Sequence, residues 1–169
     1  VTVFISLALG KQVFASEHPK KFTVITTVAP ITNMVRNIGG VYIDVIGVVP
    51  DGVDSHTFEP IPSDIKTLQA ADLIIANGLD LELPTLKLAE KVKKPATRVV
   101  QLGNRTLKEE DWQYDFSFPR EHGHPNPHLW LNIQLVMQYA EIIRDSLSEL
   151  DPKHQEQYFL NTETYLAKL

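Results

Sequence analysis

The chain carries six histidines and no cysteine, so any metal it holds must sit on nitrogen and oxygen ligands. The same absence removes thiolate zinc sites, iron–sulfur clusters, disulfide scaffolds and cysteine nucleophiles. Two histidines stand in turn-rich segments suited to chemistry: His56 in D-G-V-D-S-H-T-F-E-P and His128 in H-G-H-P-N-P-H-L-W-L-N. Pro125 and Pro127 precede His128 closely, and φ fixed at two nearby residues lowers the entropy lost when a ligand must be held. Neutral imidazoles suit zinc, and also manganese or iron when carboxylates complete the sphere. The rival chemistry is hydrolysis, in which His56 and His128 join Asp51, Asp54 or Glu59 around one metal with an open position for water. Against it, the sequence holds no H-E-x-x-H and no G-x-S-x-G elbow. A nucleotide site is weaker still, for lack of any G-x-G-x-x-G.

The elements that must position these residues follow from periodicity. Phe22–Val28 is β-branched and predicts a buried strand. Pro30 opens a helix with Ile31, Met34, Val35 and Ile38 on one face, stopped by Gly39-Gly40. Tyr42–Val49 is a second strand, followed by the turn Pro50-Asp51-Gly52. Ser63 is placed to N-cap a short helix carrying Ile65, Leu68 and Gln69. A third strand over Asp72–Asn77, a helix over Glu82–Lys94 and a fourth strand over Thr97–Leu102 complete the order β-α-β-α-β-α-β. That order predicts an α/β fold: a parallel four-stranded sheet with helices on both faces. From Gly103 to Pro127 no pattern is visible, and the aromatics Trp112, Tyr114, Phe116 and Phe118 argue for an ordered, functional loop. Asn132 N-caps a further helix with Leu135, Val136, Tyr139, Ile142, Ile143 and Leu147 inward, and Asp151-Pro152 restarts it. Its continuation sets Leu150, Tyr158, Tyr165 and Leu169 on an apolar face expected to lack a partner, prone to association.

Ligands of open parallel sheets bind beyond the carboxyl ends of the strands. His56 follows the second strand and His128 follows the fourth, so both loops leave the same sheet edge. Taken singly, either histidine reads as a solvated loop residue, and types and spacing leave the two readings even. His18 and His154 read as solvated, His122 and His124 as exposed, Glu59 as a surface charge and Trp130 as a core anchor. Sixteen Lys and Arg against twenty-one Asp and Glu give a net charge of −5, which argues against a nucleic-acid groove. The apolar run Val1–Gly10 is too short to span a bilayer and, with Val13-Phe14-Ala15, reads as a secretory signal remnant. Val1 in place of Met and an uncapped end at Leu169 are expected to be cuts in a longer chain.

The segments G-V-D-S-H-T-F-E-P-I-P-S-D-I, A-D-L-I-I-A-N-G-L-D-L-E, N-P-H-L-W-L-N and E-L-D-P-K-H-Q-E-Q-Y-F-L-N-T-E-T-Y resemble the metal-binding solute-binding proteins of zinc- and manganese-type bacterial ABC importers. The resemblance runs from Phe22 to Leu169. It implies a bilobal, extracytoplasmic protein in which a divalent transition metal, Zn²⁺ or Mn²⁺ with Fe²⁺ possible, sits between two α/β lobes joined by a long helix. His56 and His128 match the first lobe's two metal ligands, and the second lobe's two ligands would lie beyond Leu169. The implied division is a signal remnant over 1–15, a metal-binding lobe over 16–131, and over 132–169 a helix and the start of the interlobe helix. The implied partner is the importer's membrane permease. The protein is expected to be a monomer when complete and not an enzyme; an adhesion role has been attached to some members. His122 and His124 resemble a very short version of a histidine-rich loop found in some zinc-type members. Two departures stand out: Asp54-Ser55-His56 and Asn126-Pro127-His128 replace the usual Asp-Pro-His. They remove a rigid proline from the first loop and a charge from the second.

Overall fold

A computed structural model describes residues 20–169. The signal reading over 1–15 and His18 lie outside the described residues. Four strands, β1 (Phe22–Thr26), β2 (Ile43–Gly47), β3 (Leu73–Ala76) and β4 (Arg98–Gln101), form one parallel sheet in the order β2-β1-β3-β4. Val24 aligns with Val45 on one side and Leu73 on the other, and Ile74 aligns with Val99.

Strand side chains alternate faces, and both faces are apolar. Val24, Leu73, Ile75 and Val100 meet α1 (Ala29–Gly39), α5 (Ile133–Leu150) and α6 (Gln155–Leu166) through Ile31, Val35, Ile38, Tyr139, Ile143, Leu147 and Tyr158. Ile25 and Ile74 meet the opposite layer, where α2 (Pro62–Ala70) and α3 (Leu83–Val92) supply Leu68 and Ala89. A helix layer on each face of an all-parallel sheet is the expected architecture.

Five local readings change. The segment 103–127 is not wholly patternless: α4 (Leu102–Thr106) turns directly out of β4. It is a single turn, too short to show an apolar period. Ser63 is not the N-cap of α2; Ile61 is, and the Asp64 carboxylate accepts the Ile61 backbone N–H at 2.8 Å. Pro62 takes the first helical position, where its missing N–H costs nothing.

At the junction of α5 and α6, the Asp151 carboxylate caps no backbone group. It accepts the Tyr158 hydroxyl at 2.8 Å and pairs with His154 Nδ1 at 2.6 Å. The Tyr42 ring lies 4.7 Å from that of His154, so His154 is a half-buried member of a cluster and not a solvated side chain. Burial, with Asp151 adding to it, pushes the Tyr158 hydroxyl well above its usual pKa. The apolar face of α6 also finds its partner within the chain. Tyr158 is fully buried, Tyr165 and Leu166 pack on the main core, and Asn161 Nδ2 donates to the Ile38 carbonyl at 2.8 Å. Only the end, at Leu169, remains exposed on that face. The expected association through it therefore loses its basis.

Candidate metal centre

His56 is set by the turn after β2. Val53 N–H donates to the Pro50 carbonyl at 3.1 Å, and Gly52 takes φ 82°. The Asp54 carboxylate then accepts the His56 backbone N–H at 2.9 Å. This local bond between a turn aspartate and the backbone two residues on holds the loop where proline is missing at Ser55.

His128 is set from below. Along the segment from Pro125 into the 3-10 turn Leu129–Leu131, residues Pro125, Pro127 and Leu129 are buried while Asn126, His128 and Trp130 are half-buried. Pro125 and Pro127 anchor the segment and also form part of the cleft wall beside His56. Trp130 packs on the core while its ring meets His128 edge-on at 5.1 Å. Asn77, at the end of β3, donates from Nδ2 to the Pro127 carbonyl at 3.0 Å.

The two loops bring the imidazoles together. His56 Nε2 and His128 Nε2 are 3.2 Å apart, with ring centroids 5.1 Å apart. Phe118 stands against both, at 5.8 Å and 5.4 Å. Two nitrogens bound tetrahedrally to one Zn²⁺ at about 2.0–2.1 Å stand about 3.3 Å apart, so the pair has the bite for a single ion. Ligation needs neutral imidazole. Burial first, and the neighbouring His56 second, lower the His128 pKa from its ordinary 6.5, with Asp115 opposing.

Among the described residues no three His, Asp or Glu side chains come close enough to hold a metal. Asp51, Asp54 and Glu59 are exposed, and the bond to the backbone of His56 engages Asp54. His122 and His124 line the same cleft of about 260 Å³ as His56. His124 Nδ1 pairs there with Asp80 Oδ2 at 3.0 Å, so His124 is not merely a free surface side chain. Both remain separate from the His56–His128 pair.

A buried polar network under the site was not visible in the sequence. Glu82, 2% exposed, accepts the Thr27 hydroxyl at 2.5 Å and the N–H groups of Asn77 and Gly78 at 2.7 and 3.1 Å. Burial raises its pKa, and those donors hold it down. The carboxylate folds the chain over itself through Gly78, Leu79 and Asp80, all at positive φ. Left-handed conformation at the two non-glycine positions is unfavourable by about 1–3 kcal/mol each and persists because Glu82 holds the turn from below and Asn104 Oδ1 accepts the Leu79 N–H at 3.0 Å. Tyr139 of α5 completes the network, donating to Asn77 Oδ1 at 3.1 Å. The one signal for it was Asn77 and Glu82 directly after the apolar run Leu73–Ala76. In Tyr139→Phe, Asn77 Oδ1 keeps no donor in a dry interior. We expect a loss of about 1–2 kcal/mol, read as a lower denaturant midpoint at unchanged m-value.

A parallel α/β lobe that offers two imidazoles, at one ion's spacing, from loops at one sheet edge defines a class of metal-binding lobes. The chain belongs to the zinc-uptake complex component A periplasmic family (ZnuA), which it matches over residues 24–169. It is 35% identical over 165 residues to the iron-binding protein YfeA of Yersinia pestis, covering 98% of this chain and 51% of that protein. It is 35% identical over 176 residues to the manganese ABC transporter substrate-binding lipoprotein PsaA of Streptococcus mitis, covering 100% of this chain and 54% of that protein. A Mn-bound periplasmic metal-binding protein from Candidatus Liberibacter asiaticus superposes with a TM-score of 0.76 at 30% identity, over 88% of this chain and 53% of its own. The chain thus spans about half the length of the relatives it matches.

Proposed function

We propose that this chain is the first lobe of an extracytoplasmic carrier that captures a divalent transition metal and delivers it to the membrane permease of an ABC importer. The observation that carries the reading is the 3.2 Å separation of His56 Nε2 and His128 Nε2. Family membership and relatives named for iron and manganese support it. The ion is cargo, Zn²⁺ or Mn²⁺ with Fe²⁺ as a further candidate. Two imidazoles fill half of a tetrahedral sphere, and the remaining ligands would come from a second lobe reached through the helices after residue 132. No bond is made or broken, in keeping with membership of a family of uptake-complex components. The protein acts outside the cytoplasmic membrane and is not an enzyme.

Calorimetric titration of this chain with Zn²⁺ and Mn²⁺, alongside ester and phosphate turnover assays, tests the reading. Weak binding of one ion with no turnover is the expected result. Metal-dependent hydrolysis would replace the carrier with an enzyme, and failure to bind either ion would end the metal reading.

The pH dependence has a definite sign. Protons compete with the metal for imidazole, so affinity falls with falling pH. His128 has its pKa lowered and therefore remains a competent ligand at a pH where an ordinary histidine is half protonated. Its share of the loss should fall below pH 6.5, the ordinary value, in zinc titrations across roughly pH 5–8. A loss complete above that value would contradict it.

A further inference from the structure

Asn126 touches His128 twice. Its Oδ1 accepts the His128 backbone N–H at 3.0 Å and lies 2.8 Å from His128 Nδ1. At its other end, Asn126 Nδ2 lies 2.5 Å from Asp115 Oδ2. The amide cannot be turned round. A backbone N–H only donates and a carboxylate only accepts, so both neighbours demand the same orientation, oxygen towards His128 and nitrogen towards Asp115. An amide oxygen has only lone pairs to offer, so His128 Nδ1 must carry the proton. The lone pair then lies on Nε2, the atom 3.2 Å from His56 Nε2.

Asp115 is itself held in place. Its Oδ1 accepts the backbone N–H groups of Ser117 and Phe118 at 2.8 and 3.0 Å. The strand of loop that carries it is tied to Asn126, whose backbone N–H donates to the Gln113 carbonyl at 2.8 Å. The Asn126 amide holds the Asp115 carboxyl below its ordinary 3.8, slight desolvation opposing and the Phe118 and Ser117 amides assisting.

We propose that Asp115 is a positioning residue: through the Asn126 amide it fixes His128 as the Nδ1–H tautomer, with Nε2 free to hold a metal. It supplies from eleven residues upstream the negative charge that Asn126 lacks. A ligating histidine commonly donates its second ring nitrogen to a carboxylate or carbonyl, which fixes ring orientation and raises ligand basicity. Here that support is split between two residues. The amide makes the contact, and the carboxylate polarises and orients the amide. The role in metal binding rests on the carrier reading above; the tautomer does not.

The test reads the two separately. Proton–nitrogen correlation spectra of the metal-free chain, labelled in its histidine rings, report which nitrogen of His128 carries the proton. Wild type is expected to show Nδ1–H, and Asn126→Leu to shift the population towards Nε2–H. Asp115→Ala, at an exposed loop position, is expected to give a tautomer mixture and about tenfold weaker Zn²⁺ binding, within the range for a lost supporting contact. The site has room for one carboxylate. Asn126→Asp alone sets two carboxylates at 2.5 Å and should not strengthen binding, whereas Asn126→Asp combined with Asp115→Ala should restore both tautomer and affinity. A purely structural role for Asp115 would not be rescued in this way. Wild-type His128 protonated on Nε2 overturns the proposal, as does an Asp115→Ala protein unchanged in tautomer and affinity. The expected tautomers with no metal bound by any variant would uphold the relay and remove the carrier reading instead.

Discussion

Replacing either His56 or His128 by alanine is expected to abolish measurable metal binding by this chain. The reason is chelation. The first imidazole to bind brings the ion to within a bond length of the second, because the two Nε2 atoms already stand 3.2 Å apart. The loops have therefore paid the ordering entropy before the ion arrives. With one nitrogen gone, the other is a solitary imidazole that competes poorly with water. The loss should exceed the roughly 10–100-fold typical of a supporting contact. Folding provides the control. His56 is exposed, so His56→Ala should melt with the metal-free wild type but lose the stabilisation that Zn²⁺ gives the wild type by mass action. His128→Ala also surrenders packing against Phe118 and Trp130 and should melt slightly lower. Titration calorimetry and melting with and without Zn²⁺ check both. Binding that survived both substitutions would move the site to His122 and His124, across the same cleft.

What could be read in the sequence was what obeys a short period or a local rule. The alternation of Val24 and Ile25, and of Leu73, Ile74 and Ile75, sorts those side chains between two faces. Asn132 caps α5 as its type suggests, accepting the Gln134 N–H at 2.9 Å. The order of strands and helices placed the loops of His56 and His128 at one sheet edge, which made their approach thinkable. What stayed hidden was every contact between residues far apart in the chain. Glu82 reads as a helix-start acid, yet it is buried against Thr27, fifty-five residues away. Tyr139 reads as one more inward position on α5, and nothing local announces that its hydroxyl meets Asn77. The face of α6 looked unpartnered because its partners, α1 and α5, come earlier in the chain. Asn126 looked like a lost charge, and only the folded loop shows Asp115 beside it.

The second large effect is expected at Glu82, which touches no candidate ligand. In Glu82→Ala, the Thr27 hydroxyl and the Gly78 N–H lose their buried acceptor, and the Asn77 N–H keeps only its longer bond to the Thr27 hydroxyl oxygen at 3.3 Å. Each orphaned group costs about 1–3 kcal/mol. The relief of desolvating a carboxylate offsets part of that, so a net loss of about 3–5 kcal/mol is expected, the range for breaking a buried ionic or hydrogen-bonded network. That is a large share of the stability of a domain this size. Glu82→Gln separates charge from hydrogen bonding. Its remaining oxygen can still accept from Thr27 and Asn77, but its amide nitrogen would face the Gly78 N–H, donor against donor. A loss of about 1–2 kcal/mol follows. The consequence for the site runs through Asn77, which donates to the carbonyl of Pro127 immediately before His128. Glu82→Gln, still folded, should therefore bind Zn²⁺ more weakly than wild type, by up to about tenfold, while His56 and its loop are untouched. Chemical denaturation gives the stability and calorimetry the affinity. A Glu82→Ala protein as stable as wild type would mean that water can replace the carboxylate under the turn, and Asn77 would then hold Pro127 without it.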